Sequence, residues 1–455
     1  MNVQQSHKRN FEQHSYKNLK FMKIGIIGGG ITGLVLAQRL SHQGHIVTVF
    51  DNNNQLGGLT TYHDYGLFTW DRFYHVILPS DTHLINFIRD IGLGDKLRWH
   101  RSLTGFYDKK KFYSISNAVE FLRFPLFGLI SKIRLAFTLL YGSRVQNWQR
   151  LEKILVEDWL LKLGGRNTYE KLWKPLLLSK LGDNYKRISA VFIWAYIRRL
   201  FSARDSSLSK EQLGYVSGGY KTVIDRLEQL INASGGDIRT STAVEYIAPA
   251  QQGGIWVESQ GKKEHFDKVI FTGPVNILQQ VVANGLVKIS QTRETVEYLG
   301  VICMVLITRK ALIPYYVVNI ADRNIPFTGV IGMSNLVSLQ ETAGYHMTFL
   351  PKYILSTDPL LKQPDSELRQ QFFQAIGLMF PELKQDDIVA AHINRAMKVQ
   401  PLQVLDYSSL VPQVSTENPD FFVVNTSQFV NDSVNNNAVV RHVDEFLKKS
   451  TLLNS

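Results

Sequence analysis

Glycines near the N-terminus are spaced for binding a ligand that carries phosphates. Three of them, with G-x-G-x-x-G spacing, are Gly28, Gly30 and Gly33. The first permits a tight turn, the second lets a pyrophosphate approach the backbone, and the third allows a helix to pack closely on a strand. The backbone N–H groups at Ile31 and Thr32 would then face the phosphates from the positive end of that helix. The spacing therefore predicts a dinucleotide site.

The elements around these glycines support the same prediction. Residues 24–28 and Ile46–Phe50 are apolar runs that predict buried strands, and residues 34–40 between them predict a helix. Asp51 follows the second strand, about 20 residues past the glycines, where a carboxylate can accept hydrogen bonds from ribose hydroxyls. Asn52 beside it supplies no cation for a 2′-phosphate, which argues against NADP. A glycine-rich turn in a fold without a ligand is the alternative.

A second glycine pair follows soon after the acidic residue. Gly57 and Gly58 are followed by Leu59 and Thr60. Here the sequence resembles the amine oxidase and protoporphyrinogen oxidase superfamily of flavoproteins. In that superfamily a Gly-Gly pair, usually followed by Arg, brings backbone N–H groups to the phosphates and ribityl chain of FAD. This chain lacks the Arg, so the resemblance implies FAD with the backbone contacts and without that charged contact. A plain surface turn is the alternative.

The resemblance extends to the middle of the chain. Residues 68–75 are similar to the segment that runs along the isoalloxazine ring, which implies that Tyr74 and His75 line the ring. His75 could equally be an ordinary packed or exposed histidine, and no catalytic side chain is assigned. Residues 215–274 resemble the block in which the chain returns to the nucleotide domain, and Val244 matches the position whose backbone meets the adenine.

The third matching block lies at the C-terminus. Residues 421–425 predict a strand, and a helix is expected to begin near Asn436 and to continue through Phe446. In the superfamily the N-terminus of this helix points at the N1–C2 edge of the flavin, where its positive end stabilises the reduced, anionic ring. The usual Gly-acid pair after the strand is replaced here by Asn425 and its neighbours. Asn425 and Asn436 therefore remain as the predicted contacts.

The resemblance implies an α/β fold, with a Rossmann-type FAD-binding domain and an interleaved α+β substrate domain. The predicted division is a flexible tail at 1–21, a FAD-binding domain at 22–100, 206–275 and 396–455, and a substrate domain at 101–205 and 276–395. Residues 101–205 are expected to be largely helical, and 276–395 mixed. Residues 173–182 resemble bacterial protoporphyrinogen oxidase-like proteins. The abrupt strand after the polar leader also suggests Met22 as a start site.

Composition narrows the partners and the compartment. The 455 residues carry a net charge of +12, which favours anionic partners, but no long basic block or nucleic-acid motif is present, so no nucleic-acid partner is predicted. The single cysteine, Cys303, excludes an intrachain disulfide and fits the cytoplasm. No H-E-x-x-H motif or histidine cluster predicts a metal site. The oligomeric state is left open.

An apolar segment, residues 121–141, has two interpretations. No run in the chain reaches the ~20 apolar residues of a membrane span, and Arg123, Lys132 and Arg134 interrupt this one. It could be a buried helix of the substrate domain. It could instead lie in the plane of a membrane or at the lip of a channel for a lipid-like substrate. The second interpretation would add peripheral contact with the anionic inner membrane face.

The predicted function is oxidation of an organic, apolar or lipid-like small-molecule substrate by hydride transfer to flavin N5. Oxygen, a quinone or another acceptor would then reoxidise the flavin, with the protein supplying orientation and a dry site. Tetrapyrroles, polyenes and amines all remain open as substrates. Two other classes also remain open: a non-redox flavin mutase resembling UDP-galactopyranose mutase, and a non-catalytic carrier resembling GDP dissociation inhibitors.

Overall fold

The computed structural model describes residues 21–116, 120, 123–125, 128–202, 212–287, 296–450 and 452. Nearly all of the predicted flexible tail, 1–21, lies outside the described residues, as does part of the apolar segment 121–141. The α-helices with defined bounds are α1 (Ile31–His42), α2 (Thr82–Asp90), α3 (Leu129–Arg144), α4 (Trp148–Glu152), α5 (Val156–Thr168), α6 (Lys174–Leu181), α7 (Ala190–Ser202), α8 (Gly219–Ala233), α9 (Val275–Val281), α10 (Asp365–Met379) and α11 (Asn436–Lys449).

The strands form two main sheets and three small ones. They are β1 (Lys23–Ile27), β2 (Ile46–Phe50), β3 (Tyr62–Asp64), β4 (Thr69–Asp71), β5 (Leu97–Arg101), β6 (Thr104–Asp108), β7 (Lys111–Ser114), β8 (Gln212–Val216), β9 (Asp237–Arg239), β10 (Val244–Pro249), β11 (Ile255–Ser259), β12 (Lys262–Phe266), β13 (Lys268–Phe271), β14 (Tyr298–Thr308), β15 (Val317–Ile320), β16 (Gly329–Gly332), β17 (His346–Leu355), β18 (Ile388–Pro401) and β19 (Phe421–Val423).

A parallel sheet carries the N-terminal glycine turn. Its strand order is β19-β13-β1-β2-β9, and each neighbouring pair is parallel. Apolar side chains from α1, α2, α8 and α11 pack with those of the central strands in one core. A parallel sheet is stable when helices cover its faces, because its strands are apolar on both sides. The predicted Rossmann-type α/β fold is confirmed.

A seven-stranded mixed sheet forms the second body of the fold. Its order is β18-β14-β17-β16-β15-β6-β7, antiparallel except where β15 meets β6. Every residue of β14 is buried, and successive side chains enter two different cores. Cys303 and Val305 pack on the side that carries Tyr74, while Met304 and Leu306 pack on the side covered by α10.

The expectation that residues 101–205 are largely helical is wrong at its beginning. Residues 104–114 form β6 and β7, and β6 pairs with β15 (Val317–Ile320). This partner lies about 200 residues further along the chain, so no local pattern reveals it. Helices α3 to α7 follow and share one apolar core.

The proposed division into domains stays a prediction. Two strands cross its boundaries, since β5 (Leu97–Arg101) spans the one at 100/101 and β18 (Ile388–Pro401) spans the one at 395/396. The predicted domain boundaries therefore fall within strands as well as in loops.

Candidate functional site

The first glycine turn has the geometry that its spacing predicts. Gly28 lies at φ +116°, a left-handed region that side chains rarely occupy, and its N–H donates to the Phe50 carbonyl oxygen at 2.7 Å. A Cβ at Gly33 would lie 1.9 Å from the Gly28 oxygen, so only glycine lets α1 sit this close to the strand end. A Cβ at Gly30 would meet a single neighbour, the Gly58 Cα at 4.0 Å. Gly30 therefore faces open space.

The second glycine turn packs directly on the first. The Gly57 N–H donates to the Gly29 oxygen at 2.9 Å, and Gly57 lies at φ +102°. A Cβ at Gly58 would approach the Gly30 Cα to 3.2 Å. Two turns separated by a helix and a strand in sequence thus meet over the N-terminus of α1. Their backbone surfaces form a shallow cradle that side chains would partly fill.

The other residues predicted around the turns divide into two groups. Ile31 and Thr32 are buried in the first turn of α1, and the N-cap residue before them contributes no side-chain cap, so backbone N–H groups are left for a ligand. The Thr60 hydroxyl donates to the Gly57 oxygen at 2.7 Å and closes the second turn, while Leu59 is half-buried. Thr60 therefore holds the turn and does not replace the missing arginine.

Asp51 lies buried behind the first turn. One carboxylate oxygen accepts the Gly29 N–H at 2.6 Å, and the other accepts the Asn53 N–H at 2.7 Å. Such bonds to a carboxylate are stronger than neutral ones and hold the turn in place. A carboxylate has about four acceptor positions, so capacity for ribose hydroxyls remains. Asn52 is exposed beside it.

Val244 lies at the same end of the parallel sheet. The Thr242 N–H donates to the Asp51 carbonyl oxygen at 2.8 Å, which anchors the start of β10 next to β2. The Val244 side chain packs against an apolar cluster that contains Ile27 and Phe50. The strand ends, the acidic residue and the predicted adenine contact therefore share one edge of the sheet.

Three distant segments meet beyond the other end of the cradle. His75 lies with its ring centroid 5.2 Å from that of Tyr220 on α8, and Tyr220 is within hydrogen-bond reach of the Asn436 side chain on α11. The Asp71 carboxylate accepts the Tyr220 N–H at 2.7 Å and lies 3.7 Å from His75 Nδ1. Burial raises the pKa of the Asp71 carboxyl, while His75 and the Tyr220 N–H act in the opposite direction. His75 is thus packed between two neighbours.

Tyr74 points toward the seven-stranded sheet. Its hydroxyl lies 2.8 Å from that of Tyr353 on β17, and its ring packs near Phe349. The loop after β4 therefore contacts the nucleotide-binding body through His75 and the seven-stranded sheet through Tyr74.

The C-terminal block forms the strand and the helix that the sequence predicts. Helix α11 begins at Asn436, as expected, and Asn435 is its N-cap, accepting the Ala438 N–H at 2.9 Å. Asn425 is buried, and its amide donates to the Gly273 oxygen at 2.8 Å and accepts the Ser427 N–H at 3.0 Å. The Asn425 N–H donates to Gln428 Oε1 at 3.1 Å, so both the side chain and the N–H of Asn425 are engaged within the protein, and its contact with a ligand stays a prediction.

Sequence reasoning missed three residues that border this region. Tyr220 follows a glycine pair and lies in the first turn of a helix, which was a usable signal. Lys180 lies in a block that resembles related proteins, but nothing there assigns it a role. Tyr353 carries no local signal at all, because only the pairing of β17 with β14 places it beside Tyr74.

Comparison with known sequences assigns this geometry to a family. The sequence model for flavin-containing amine oxidoreductases matches residues 31–394. The chain belongs to that family. It is an FAD-dependent oxidoreductase, and FAD is its cofactor.

The similarities to individual proteins are more distant. A 4,4'-diapophytoene desaturase (4,4'-diaponeurosporene-forming) of Staphylococcus aureus (strain COL) is 40% identical over 62 residues, which span 14% of this chain and only 12% of the desaturase. A structure described as a candidate protoporphyrinogen oxidase from Exiguobacterium sp. 255-15 superimposes with a TM-score of 0.73 at 19% identity, covering 96% of this chain and all of that one. Reduced UDP-galactopyranose mutase gives 0.71 at 16% identity, covering 95% and 97%. These two structures share the fold.

The residues present fit FAD. The open backbone at Gly30 and Gly58 and the uncapped start of α1 suit the pyrophosphate, and the buried Asp51 suits a ribose. When bound, FAD would supply an acceptor at N5 for a hydride, which carries two electrons. The N-terminus of α11, beside Tyr220, offers a positive helix end for developing negative charge. Within the described ranges no trio of His, Cys, Asp or Glu could hold a metal ion.

Proposed function

We propose that this family member oxidises an apolar, lipid-like organic molecule bound between the seven-stranded sheet and helices α6 and α7. The observation that carries the proposal is a group of tyrosines, Tyr74, Tyr196 and Tyr353. Each keeps part of its surface accessible, yet burial raises the pKa of each phenol. These side chains lie deep in the protein and yet keep some surface that no other atom covers. We therefore infer that they border an internal space. Aromatic walls with few polar groups suit an apolar ligand.

The side chains around that space orient and desolvate a substrate. Because their pKa values are raised, Tyr74 and Tyr353 stay protonated at neutral pH, and their hydroxyls are hydrogen-bonded to each other. The Tyr196 hydroxyl donates to Gln400 on β18 at 3.2 Å. The hydroxyls of these three tyrosines are therefore satisfied within the protein, which favours apolar contacts between their rings and the ligand. The likeness of a short segment to a polyene desaturase is consistent with this class of substrate.

Reduction of the bound flavin by substrate tests the proposal. Purified, FAD-loaded protein is mixed anaerobically with polyenes, tetrapyrroles and amines, and the visible absorbance of the flavin is followed. We expect bleaching by an apolar organic substrate and recovery of the absorbance when an electron acceptor is admitted. Binding of a UDP-sugar to the reduced enzyme, without net bleaching, would favour the mutase. A folded protein that takes up no FAD would favour the carrier.

We also propose that the enzyme meets an anionic membrane surface through α3 (Leu129–Arg144). This helix packs its polar and small residues inward, since Ser131, Thr138 and Gly142 are buried. Leu135 is buried as well, but six other apolar residues are exposed, and we call these exposed residues the outer face of α3: Leu129, Ile130, Ile133, Phe137, Leu140 and Tyr141. A purely buried helix would show the opposite distribution.

Charge on α3 supports an anionic partner. The helix contains no Asp or Glu, and Arg134 and Arg144 are exposed near the outer face. An apolar face flanked by basic side chains is typical of helices that lie in the plane of a bilayer. No helix in the described part of the chain has the length and apolarity to cross a membrane. The helix packs against α5 and α7, so a ligand taken from the membrane would enter beside the aromatic space.

Flotation with lipid vesicles tests the membrane proposal. We expect the protein to float with phosphatidylglycerol vesicles at low salt, less at high salt, and hardly with phosphatidylcholine alone. Replacing Ile133→Glu and Phe137→Glu together should abolish flotation. Leu378→Glu, at a residue of α10 that is 50% exposed, is the matched control and should float normally. Equal flotation of both variants would rule out the outer face of α3 as the contact.

A further inference from the structure

Lys180 is a lysine whose ammonium group lies over an aromatic ring. It lies near the end of α6, and its Nζ is 3.5 Å from the centroid of the Tyr353 ring. Among the described residues it makes no ion pair with a carboxylate. By contrast, Lys174 at the start of the same helix lies 3.0 Å from a Glu170 oxygen on the surface. The two lysines of this helix therefore differ: Lys174 forms a surface ion pair, and Lys180 lies over an aromatic ring.

The position of Lys180 is costly for a purely structural side chain. Lysine is rarely buried without a paired charge. Burial lowers the pKa of Lys180 to about 7, so the amine is only partly protonated at neutral pH. The attraction of a cation to an aromatic ring is weaker than the penalty for removing an unpaired lysine charge from water. Its side chain nevertheless remains half-accessible, so it borders the same internal space as the tyrosines.

The titratable groups around Lys180 are neutral. The Tyr353 ring lies beneath Lys180, Tyr353 in turn lies near Tyr74, Tyr196 and Cys303, and burial raises the pKa of all four. Arg199, the charged group near Tyr196, is paired with Asp81 at 3.1 Å. The space beside Lys180 therefore has a positive charge that no described side chain balances.

We propose that Lys180 binds the anionic head group, a carboxylate or phosphate, of an otherwise apolar substrate. The ammonium fixes one end of the ligand over Tyr353, and the apolar part extends along Tyr74 toward the loop that carries His75. This rests on the proposed function, because it assigns the substrate class of that same space: amphiphilic acids. An incoming anion supplies the missing charge partner and turns a costly lysine into a specific contact.

Binding of matched ligands to the FAD-loaded enzyme tests the proposal by calorimetry. The probes are decanoate, decyl phosphate and decanol, which share a chain and differ in the head group. We expect an acid to bind at least tenfold more tightly than decanol, and Lys180→Met to remove that preference while Lys180→Arg retains part of it. Decanoate and decyl phosphate distinguish the two head groups. Lys174→Met is the control and should bind like the wild type.

The pH dependence gives a second readout. Only the protonated lysine binds an anion, so affinity for decanoate is complete below pH 7. Above pH 7 the dissociation constant should rise up to tenfold per pH unit, until the pKa of the occupied state is passed. Decanol binding should not follow this profile. Lys180→Met, whose FAD content and melting temperature serve as the check on folding, should show no such dependence.

Several results would overturn the proposal. They are equal binding of acid and alcohol, unchanged acid preference in Lys180→Met, absence of acid binding, or preferential binding of decylammonium at high pH. The last would indicate that the neutral amine accepts a proton. Because binding is measured without turnover, these outcomes are independent of whether a substrate bleaches the flavin. The experiments can therefore contradict the anion site while they support the proposed oxidation, or support the anion site while they contradict the oxidation.

Discussion

Individual glycines of the nucleotide site are required for two different physical reasons. Gly33 is required by packing, because a Cβ there would lie 1.9 Å from the Gly28 oxygen. Gly30 has nothing closer than 4.0 Å to its missing Cβ, so the protein alone does not require it. The spacing in the sequence marks both positions equally. Only the structure separates the glycine that the fold needs from the one that the ligand needs.

Alanine at these two positions should therefore give opposite results. Gly33→Ala should destabilise the protein with or without FAD by about 1–3 kcal/mol, because α1 must move away from the strand end. Gly30→Ala should change the stability of the FAD-free protein by less than ~0.5 kcal/mol and weaken FAD binding. Chemical denaturation of the FAD-free protein and FAD titration measure the two effects. A strongly destabilised Gly30→Ala protein would contradict this distinction.

At the scale of elements, short-range patterns predicted some parts well and others poorly. The glycine turn, α1, β2 and α11 were predicted from apolar spacing and end signals such as Gly44, which lies at φ +92° just past α1. β6 was missed, since its partner β15 is distant in sequence. The direction in which α3 faces also could not be predicted, because a segment apolar nearly all round gives no preferred side.

The cap of α11 offers a test at the start of that helix. Asn435→Ala removes the side chain that accepts the Ala438 N–H, so we expect the free energy of unfolding to fall by about 1 kcal/mol. Urea denaturation measures this loss. Asn54→Ala, at an exposed loop position, is the control and should have little effect. An unchanged midpoint for Asn435→Ala would show that the cap does not stabilise the helix.

His442 on the same helix should make stability depend on pH. Burial lowers the pKa of His442 from 6.5 to about 4, and its Nε2 lies 2.9 Å from Gln428 Oε1. Between these two pKa values the unfolded chain binds a proton at His442 and the folded protein does not. The contribution of His442 to the free energy of unfolding is therefore complete above pH 6.5 and is lost as the pH falls toward 4. Allowing for the accessible part of the ring, the loss is about 2 kcal/mol.

Melting curves between pH 7 and 4 should show this loss. Wild type and the exposed-site control His42→Asn should lose stability together. His442→Asn, which keeps an amide but has no titrating ring, should lose less over the same range. Parallel curves for all three proteins would exclude His442 as the source of the acid sensitivity.

For the molecule as a whole, the predicted FAD contacts come from segments at both ends of the chain. The cradle is formed near residue 30, Tyr220 lies in the middle, and Asn436 lies near the C-terminus. A ligand that binds only the folded arrangement stabilises all of these segments together. Adding FAD at about 100 times its dissociation constant should raise the free energy of unfolding by about 2.7 kcal/mol.

Thermal unfolding with two probes would measure this whole-molecule effect. Tryptophan fluorescence and circular dichroism should shift to higher temperature together when FAD is added to the FAD-free protein. Gly30→Ala at the same FAD concentration should show a smaller shift. A shift confined to one probe would mean that FAD stabilises one body of the fold and not the other.

The order of residues along the chain by itself determined the family, the cofactor and the nucleotide end of the site. Those features depend on turns, whose backbone demands fall on a few neighbouring residues. Only the tertiary structure decided which side chains border the proposed substrate space and which face of α3 meets solvent. Tyr74 meets Tyr353, and Tyr353 meets Lys180, across large separations in sequence. Such contacts are set by how the sheet and helices pack, and packing depends on the whole chain at once.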